Sequence, residues 1–318
     1  MRTVGLAEAD LICVSSSGGK DSVLALCRTI DRCRALGIPL SRVVVIHADL
    51  GPLEWRAATG DECLPGHSPL SAPDLAAAQA AHFGVRFISC RNMLRTLPEL
   101  WNTKSQSSLV GHSHCEGSMA FKRDQIEKVY TMLVKELNLY RAARIVEVMG
   151  LCAHESSGRT DRLAAYDHRD DQGWAWTHNA HASTKNTRTV SIACPLADQG
   201  LDRPLRKGEK ISKEKRAECE AGVRAECAAI HEATGLPTLS WVYRYLPRLS
   251  CLCCVFMSRG LLARSAKLNP AFFRQLAIDE AKWEKTWSLE FTLSDVIADA
   301  ETLDLDDSST DTEWGNQS

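Results

Sequence analysis

Short apolar runs alternate with longer amphipathic segments in the first part of the chain. A nearly continuous apolar run at 10–15 leads into a turn that contains glycine, which predicts a buried strand followed by a loop. From Asp21 the apolar positions recur at helical spacing, and the sequence Gly-Ile-Pro at 37–39 ends the predicted helix. A β-branched run at 42–47 follows, so the chain begins with a strand, a helix and a second strand.

The same alternation continues after a segment rich in Gly, Pro and Ser. Ser71 is expected to be the N-cap of a helix at 73–83, and an apolar run at 85–90 predicts a third strand. This order of elements is typical of a parallel sheet with right-handed crossovers, whose ligand lies at the carboxyl ends of the strands. The loops at 15–22 and 47–51 both belong to that edge.

The second half of the chain has mainly helical patterns. Amphipathic stripes predict helices at 124–139 and 213–234 and an interrupted helical region at 261–287, while an apolar run at 143–150 predicts a fourth strand. The polar segment at 157–188, rich in Asp, His and Trp, is expected to be a long loop. We therefore expect an α/β protein with a doubly wound, mostly parallel sheet and a helical C-terminal extension that contains cysteine.

Length and composition allow this arrangement. The chain has 318 residues, of which 44% are apolar, with 38 basic and 40 acidic side chains. This is enough for a sizeable core, and it excludes collagen-like, coiled-coil and wholly disordered classes. We expect a nucleotide-binding domain at 1–200, a helical extension at 201–298 and a disordered acidic tail at 299–318. Seven basic residues fall within 203–216, where a solvated helix face and a nucleic-acid contact are both open.

The apolar runs fall short of the ~20 residues that a bilayer span requires, and the first residues do not resemble an export signal. We therefore expect a cytoplasmic protein with no membrane partner. Its 13 cysteines are then expected to be core thiols, metal ligands or reactive groups rather than disulfides. Four lie in predicted strands or on helical stripes and are expected to be buried: Cys13, Cys27, Cys219 and Cys227.

The loop after the first strand has a composition suited to phosphate binding. Its six residues are Ser17, Gly18, Gly19, Lys20, Asp21 and Ser22. Backbone amides and the positive end of a helix favour an anion at such a position, and the two glycines allow a phosphate chain to approach the backbone. The spacing is not the Walker pattern, since no glycine stands five residues before Gly19. It resembles instead the SGGxDS signature of the PP-loop ATP pyrophosphatases, which include sulfonucleotide reductases, tRNA sulfurtransferases and GMP synthetase.

This resemblance implies a fold like that of the adenine nucleotide alpha hydrolases and a particular chemistry. In that family the loop holds the pyrophosphate part of ATP, and attack on the α-phosphorus gives an adenylated substrate and pyrophosphate. For this chain the resemblance implies that Lys20 neutralises the phosphates and that Asp21 helps to place Mg²⁺. The residues implied to contact the phosphates directly are Ser17, Gly18, Gly19 and Ser22.

Further motifs resemble the branch of this family that is related to phosphoadenosine phosphosulfate (PAPS) reductase. The segment His-Ala-Asp-Leu-Gly at 47–51, followed by Glu-Trp, is similar to the second-strand motif of the branch, where the loop contacts the nucleoside. Asp49 and Gly51 are the residues implied to bind the nucleotide there. The sequence leaves open whether Asp49 accepts hydrogen bonds from a ribose or caps its own loop.

Two later segments are similar to anion-binding elements of the branch. Lys122 and Arg123 follow Cys115 with two residues more than the C-T-S-D-x-K-R element has. The segment 150–159 resembles G-L-R-x-x-E-S-x-x-R, except that Cys152 stands in place of the first arginine. The resemblance implies an anion or substrate site, and ordinary surface charges are the alternative. Its candidate residues are Lys122, Arg123, Glu155, Ser156 and Arg159.

Cys251 and Cys254 form a C-x-x-C pair in the predicted extension. Two thiolates at this spacing can bind one metal ion or one corner of a cluster, but a closed site needs about four ligands. Cys115 is the third candidate, because cysteines at the corresponding places of iron-sulfur reductases bind a [4Fe-4S] cluster. Zinc with a structural role and a core of buried thiols are the alternatives.

Three functions are compatible with these patterns. The first is an enzyme that binds ATP and Mg²⁺, adenylates a substrate and lets a sulfur donor displace AMP. Its partners would be an adenine nucleotide and either a nucleic-acid substrate or a sulfur-donor protein, and a homodimer is compatible with it. The second is a sulfonucleotide reductase, although the sequence lacks the E-C-G-x-H nucleophile of that enzyme. The third is a non-catalytic nucleotide-binding or iron-sulfur sensing protein.

Overall fold

The computed structural model describes residues 3–103, 118–184 and 187–306. Within these ranges the strands are β1 (Leu11–Ser15), β2 (Val43–Asp49), β3 (Arg86–Arg91), β4 (Ala143–Met149), β5 (His168–Arg169), β6 (Ala175–His178) and β7 (Arg188–Cys194). They form a seven-stranded sheet in the order β3-β2-β1-β4-β7-β6-β5. The expected α/β class and mostly parallel sheet are confirmed.

The direction of the strands places several chain ends at one edge of the sheet. Five neighbouring strands are parallel, namely β3, β2, β1, β4 and β7. Beyond β7, the strands β6 and β5 extend the sheet in antiparallel pairing. Ser15 at the end of β1 is in register with Ile46 of β2 and Met149 of β4. The order of the strands reverses between β1 and β4, so the switch point, where α/β sheets bind ligands, lies at the carboxyl ends of these two strands.

Helices connect the strands and form the C-terminal part. They are α1 (Lys20–Ala35), α2 (Ala72–His82), α3 (Leu97–Asn102), α4 (Asp124–Leu137), α5 (Ser157–Ala164), α6 (Lys213–Thr234), α7 (Arg259–Leu268), α8 (Pro270–Lys282) and α9 (Leu293–Thr302). A π-helical turn, Ser118–Arg123, leads into α4. The predicted N-cap is confirmed for α2, where the hydroxyl oxygen of Ser71 accepts the amide of Asp74. None of the described helices is long and apolar enough to cross a membrane.

Alternate residues of the strands face two helical layers. Ile12 and Val14 of β1 belong to an apolar cluster with α1 and α6 that includes Val223. Leu11 and Cys13 belong to the opposite cluster, which packs against α4. Because side chains alternate along a strand, the central strands are buried on both faces. The four cysteines expected in the core are buried.

The C-terminal helices α7, α8 and α9 pack on the segments that follow β2 and β3. Their apolar core includes Trp55, after β2, and Trp101, in α3. The ring of Trp55 meets that of Trp241 edge-on at 5.8 Å between centroids, and Trp101 meets Trp287 in the same way at 5.2 Å. The indole of Trp55 also donates to the carbonyl oxygen of Ser250 at 2.7 Å. Residues 251–254, called the cysteine segment below, precede α7. These contacts hold that segment beside the loop after β2.

The prediction of a long loop at 157–188 is wrong. This segment contains α5, β5 and β6, and β7 begins at its end. The two strands inside it have two and four residues, which is too short for a strand period to show in the sequence. The helix α9 includes residues 299–302 of the segment expected to be a disordered tail, while 307–318 lie outside the described residues. The division into domains stays a prediction.

Candidate functional site

Two loops meet at the switch point of the sheet. One runs from Ser16 to Gly19 between β1 and α1, and the other begins at Gly150, directly after β4. A Cβ atom added to Gly150 would collide with the carbonyl oxygen of Asp21 and lie 2.9 Å from the amide nitrogen of Ser22. The loop after β4 therefore packs against the first turn of α1, and this contact requires glycine.

The loop after β1, called the phosphate loop below (16–22), is held by its own hydroxyl groups. The amide of Gly18 donates to Oγ of Ser16 at 3.1 Å, and the amide of Gly19 donates to Oγ of Ser17 at 3.3 Å. The hydroxyl of Ser22 donates to the carbonyl oxygen of Gly19 at 2.8 Å. Gly18 has φ +76°, and a Cβ there would lie 2.7 Å from a carbonyl oxygen of α2. Glycine is therefore needed at this position for the conformation and the packing of the loop.

The start of α1 is suited to a phosphate group. The first-turn amides of a helix lack intrahelical acceptors, and the helix dipole places partial positive charge there. α1 has 16 residues, and Ser17 is exposed beside its N-terminus. Asp21 is partly exposed in the same turn and has carboxylate oxygens of the kind that Mg²⁺ prefers. The residues present thus fit the phosphates and the ion that the sequence motif implies, and their individual roles stay predictions.

Lys20 is fully buried, and its ammonium group lies between two carboxylates. Nζ is 2.7 Å from Oδ2 of Asp21 and 3.1 Å from Oε2 of Glu220 in α6. Burial by itself favours the neutral amine, but the negative groups, Asp21 foremost, outweigh it and raise the pKa of Lys20. The described partners of Lys20 are therefore carboxylates, and its role in neutralising phosphates stays a prediction.

The C-terminal part of the chain reaches the phosphate loop through Tyr243. The hydroxyl of Tyr243 accepts a hydrogen bond from the amide of Lys20 at 3.0 Å, and a Cβ on Gly19 would lie 3.0 Å from the same oxygen. Burial raises the pKa of Tyr243 to about 12, so the phenol is neutral. From α2, the side-chain amide of Gln79 donates to the carbonyl oxygen of Gly18 at 3.1 Å. The loop is therefore clamped from two sides.

Two guanidinium groups lie beside the segment after β4. Arg159 in α5 contacts the buried carboxylate of Glu155, and Nε of Arg248 lies 3.7 Å from the same carboxylate. Burial lowers the pKa of Arg159, and the charge of Arg248 lowers it further. Ser156 is the N-cap of α5, where its hydroxyl oxygen accepts the amide of Arg159 at 3.3 Å. Both arginines lie within electrostatic range of Asp21 and form a candidate anion site.

Cys152 occupies the position of the first arginine in the similar motif, and its side chain is buried. Its Sγ lies 3.7 Å from Oδ1 of Asp21. Burial and the Asp21 carboxylate hold the pKa of Cys152 well above its ordinary value, so it stays a neutral thiol. Arg248 lies within electrostatic range of both Cys152 and Asp21. The structure thus has a guanidinium group near the position at which the motif lacks one.

Asp49 and Gly51 form a tight turn at the end of β2. Oδ1 of Asp49 accepts the amide of Gly51 at 2.7 Å, and Oδ2 accepts Nε of Arg91 at 3.0 Å. The loop cap, one of the two interpretations left open for Asp49, is therefore present, while its contact with a ribose stays a prediction. His47 ties this end of β2 to the phosphate loop, because its Nδ1 lies 2.9 Å from the carbonyl oxygen of Ser16.

Lys122 and Arg123 lie in the π-helical turn before α4 and have different surroundings. Arg123 is 3.3 Å from Asp124 and 3.8 Å from Glu127, so its positive charge is paired with carboxylates of α4. Lys122 is close enough to Cys254 for its positive charge to favour the Cys254 thiolate. The structure brings Lys122 to the cysteine segment.

Cys251 and Cys254 meet in the segment before α7. The thiol of Cys251 donates a hydrogen bond to Cys254, and the backbone amide of Phe256 adds a second. These contacts lower the pKa of Cys254 to about 7, although burial opposes the shift. Cys253, between them in the sequence, is buried, and burial holds its pKa well above the ordinary value. Cys254 is therefore suited to react as a thiolate at neutral pH.

The expected metal site lies partly outside the described residues, because Cys115 falls within 104–117. Among the residues that the structure does describe, no group of three or more His, Cys, Asp or Glu side chains is placed to hold a metal ion. Cys251 and Cys254 supply two sulfur ligands, which fit part of a zinc or cluster site but do not complete a tetrahedral set. Each of the twelve described cysteines is a free thiol.

Sequence reasoning missed three residues of this site. Glu220 lies in α6 among many charged residues, and Tyr243 lies in a short helical turn, Trp241–Arg244. Neither belongs to a local motif, so no pattern marks it. Arg248 stands three residues before Cys251, and that position beside the C-x-x-C pair is the one signal that could have identified it.

No protein-family model and no curated protein matches the chain. Among solved structures, the U34-tRNA thiolase NcsA from Methanococcus maripaludis, with its [4Fe-4S] cluster, is similar at a TM-score of 0.32 and 10% sequence identity. The alignment covers 95% of this chain and 77% of that one. A similarity of this size does not transfer an activity, so the chemistry rests on the residues described above.

Proposed function

We propose that this protein is a PP-loop ATP pyrophosphatase that cleaves ATP at the α-phosphate and adenylates a substrate for sulfur transfer. The observation that carries the proposal is the meeting of the phosphate loop with the segment after β4 at the switch point of a parallel sheet. Helix-terminal amides, the carboxylate of Asp21 and the guanidinium groups of Arg159 and Arg248 converge there. This combination matches a polyphosphate with a bound cation.

The groups around the loop match the charges of such a reaction. The amides of the first turn of α1, apart from that of Lys20, which Tyr243 engages, and the hydroxyl groups of Ser17 and Ser22 bind the β- and γ-phosphates, which leave as pyrophosphate. Asp21 would hold Mg²⁺, and the bound ion would offset the charge that develops on the leaving group. Arg159 and Arg248 stabilise the α-phosphate while a substrate oxygen attacks its phosphorus.

We assign the sulfur-transfer half of the reaction to the cysteine segment. With a pKa of about 7, Cys254 is partly thiolate at neutral pH and lies within electrostatic range of Arg248. The attacking sulfur comes from the sulfur donor and not from the Cys254 side chain: held at this segment, it attacks the adenylated atom of the substrate. The bond from sulfur to that atom forms, the bond to the AMP oxygen breaks, and AMP leaves with the electron pair.

We propose a nucleic acid as the substrate class and a sulfur-donor protein as a partner. Lys207 and Lys210 are exposed before α6, where a polyanion can reach them. Arg203 is engaged by Glu209 at 2.6 Å, which fits the alternative of a solvated face for that residue. A homodimer and a cytoplasmic location stay expectations.

We further propose that Cys115, Cys251 and Cys254 bind a [4Fe-4S] cluster, with zinc as the alternative metal. The hydrogen-bonded pair of Cys251 and Cys254 fits two of the ligands, and the charges of Lys122 and Arg248 favour thiolates there. Such a cluster would supply iron that can bind the sulfur to be transferred, whereas zinc would stabilise the segment as a structural ion.

A sulfonucleotide reductase is the second candidate, and the lowered pKa of Cys254 is the observation that favours it. In that reaction the thiolate attacks the sulfur of PAPS or of its unphosphorylated relative. The sulfur–oxygen bond breaks and the adenine nucleotide leaves. An external thiol then attacks the cysteine sulfur, which forms a disulfide with it and releases sulfite.

Radiolabelled ATP tests the first proposal. The protein is incubated with ATP, Mg²⁺, sulfide and bulk tRNA or DNA, and the release of pyrophosphate and AMP is followed. We expect Asp21→Ala to abolish release and Asp31→Ala to retain it, because Asp31 is exposed on the same helix and pairs with Arg34. Release of sulfite from PAPS, without ATP cleavage, would favour the reductase. Unchanged pyrophosphate release from Asp21→Ala would remove Asp21 from the mechanism.

A further inference from the structure

An ion network that starts on α6 ends at the carboxylate proposed to hold Mg²⁺. The ammonium group of Lys20 is shared between Oδ2 of Asp21 at 2.7 Å and Oε2 of Glu220 at 3.1 Å. The other oxygen of Glu220, Oε1, lies 3.4 Å from Nε of Arg224, one turn further along α6. Glu220 is thus held between two cations, and one of them contacts Asp21.

Moving the ammonium group of Lys20 away from these two carboxylates would cost much free energy. Its side chain is fully buried, and a buried charge that loses its counter-ion is strongly destabilised. Arg224 also fixes the network from the C-terminal side, because it donates to the carbonyl oxygens of Tyr243 and Pro247. The ammonium group therefore stays between the carboxylates of Asp21 and Glu220. How closely it pairs with each of them determines how much of the negative charge of Asp21 it offsets.

We propose that Glu220 is a positioning residue for Asp21 and acts through the ammonium group of Lys20. With both carboxylates present, Lys20 neutralises Asp21 in part, and Asp21 keeps negative charge for a divalent cation. Without Glu220, the whole ammonium charge falls on Asp21 and competes with that cation. The inference rests on the proposed function, since it takes Asp21 as the Mg²⁺ ligand.

The test measures binding of α,β-methylene ATP, which is not cleaved at the α-phosphate, by calorimetry over a series of Mg²⁺ concentrations. We expect Glu220→Gln to raise the Mg²⁺ concentration that gives half-maximal binding by about tenfold, the size of effect seen when the partner of a metal ligand is removed. Glu226→Gln is the matched control. Glu226 also connects α6 to α1, through Arg28 at 3.3 Å, but it does not contact the phosphate loop. We expect its midpoint to equal that of the unaltered protein.

A second pair of variants separates positioning from a merely structural role. Glu220→Asp keeps the carboxylate and is expected to restore most of the Mg²⁺ response. Lys20→Met combined with Glu220→Gln removes the competing ammonium, so its midpoint is expected to fall back below that of Glu220→Gln alone. If Glu220 acted only through packing, the double variant would instead raise the Mg²⁺ midpoint further. If the double variant does not fold, the comparison of Glu220→Gln with Glu226→Gln tests the role of Glu220.

The outcomes separate the two proposals. Equal Mg²⁺ midpoints for Glu220→Gln and Glu226→Gln, in a protein that binds the nucleotide, would overturn the role of Glu220 and leave the proposed function standing. Failure of the unaltered protein to bind the nucleotide at any Mg²⁺ concentration would overturn both.

Discussion

The hydroxyl of Tyr243 accepts a hydrogen bond from the backbone amide of Lys20 at 3.0 Å, across 223 positions of sequence. The amide belongs to the first turn of α1, and Tyr243 belongs to the segment that follows α6. First-turn amides are the donors that phosphate groups use at a helix start. The contact therefore couples the C-terminal part of the chain to the place at which the nucleotide is proposed to bind.

Replacing Tyr243 by phenylalanine removes this acceptor and keeps the ring. The buried amide of Lys20 then loses its partner, so we expect the free energy of unfolding to fall by about 1–3 kcal/mol. Urea denaturation of the nucleotide-free protein measures the loss. Tyr140→Phe is the matched control, because Tyr140 is fully exposed. If both variants are as stable as the unaltered protein, the hydroxyl of Tyr243 does not hold the loop.

Gly150→Ala tests the contact between the two loops. The new Cβ would collide with the carbonyl oxygen of Asp21, and backbone atoms have little freedom to move away. We expect the free energy of unfolding to fall by about 1–3 kcal/mol, as for other overpacked sites, and binding of α,β-methylene ATP to weaken. Gly158→Ala in α5 is the control, since no atom lies within 4 Å of its added Cβ. It is expected to stabilise the protein by about 0.5–1 kcal/mol. An equal response of both variants would contradict the packing argument.

The elements whose determinants are local could be predicted from the sequence. Ser71 and Ser212 each precede an amphipathic stripe, and each accepts the backbone amide three residues later, as a helix cap does. The strand, loop and helix around the phosphate loop were likewise visible, because an apolar run, two glycines and a helical stripe follow one another without a gap.

The rest of the site could not be predicted, because long-range pairing creates it. Glu220 and Tyr243 meet Lys20 only after α6 has packed on α1, and no spacing in the sequence encodes that contact. The same holds for β7, which pairs with β4 although α5, β5 and β6 intervene. For Asp49 the sequence left two interpretations, a ribose contact and a loop cap, and its geometry contains the loop cap.

Metal analysis of protein purified without oxygen tests the cysteine site. We expect about four iron atoms and four acid-labile sulfides per chain, the content of one [4Fe-4S] cluster, with the matching absorption spectrum. Cys115→Ser, Cys251→Ser and Cys254→Ser should each lose them. Cys63→Ser is the control, because Cys63 is a half-buried free thiol that hydrogen-bonds to the carbonyl oxygen of His67. Stoichiometric zinc would show that these thiols bind a structural zinc ion in place of a cluster, and the absence of any metal would contradict the proposed metal site.

The reactivity of Cys254 in the metal-free chain tests the electrostatics of the cysteine segment. Only the thiolate reacts with iodoacetamide, and the hydrogen bond from Cys251 lowers the pKa of Cys254 to about 7. The labelling rate, followed by mass spectrometry, should therefore reach half of its maximum near that pH, whereas that of an ordinary thiol reaches half of its maximum at about pH 8.5. Cys251→Ala removes the donor and should shift the midpoint to higher pH, while Cys251→Ser keeps a donor and should shift it less. Identical profiles for the two variants would show that the hydrogen bond does not set the pKa of Cys254.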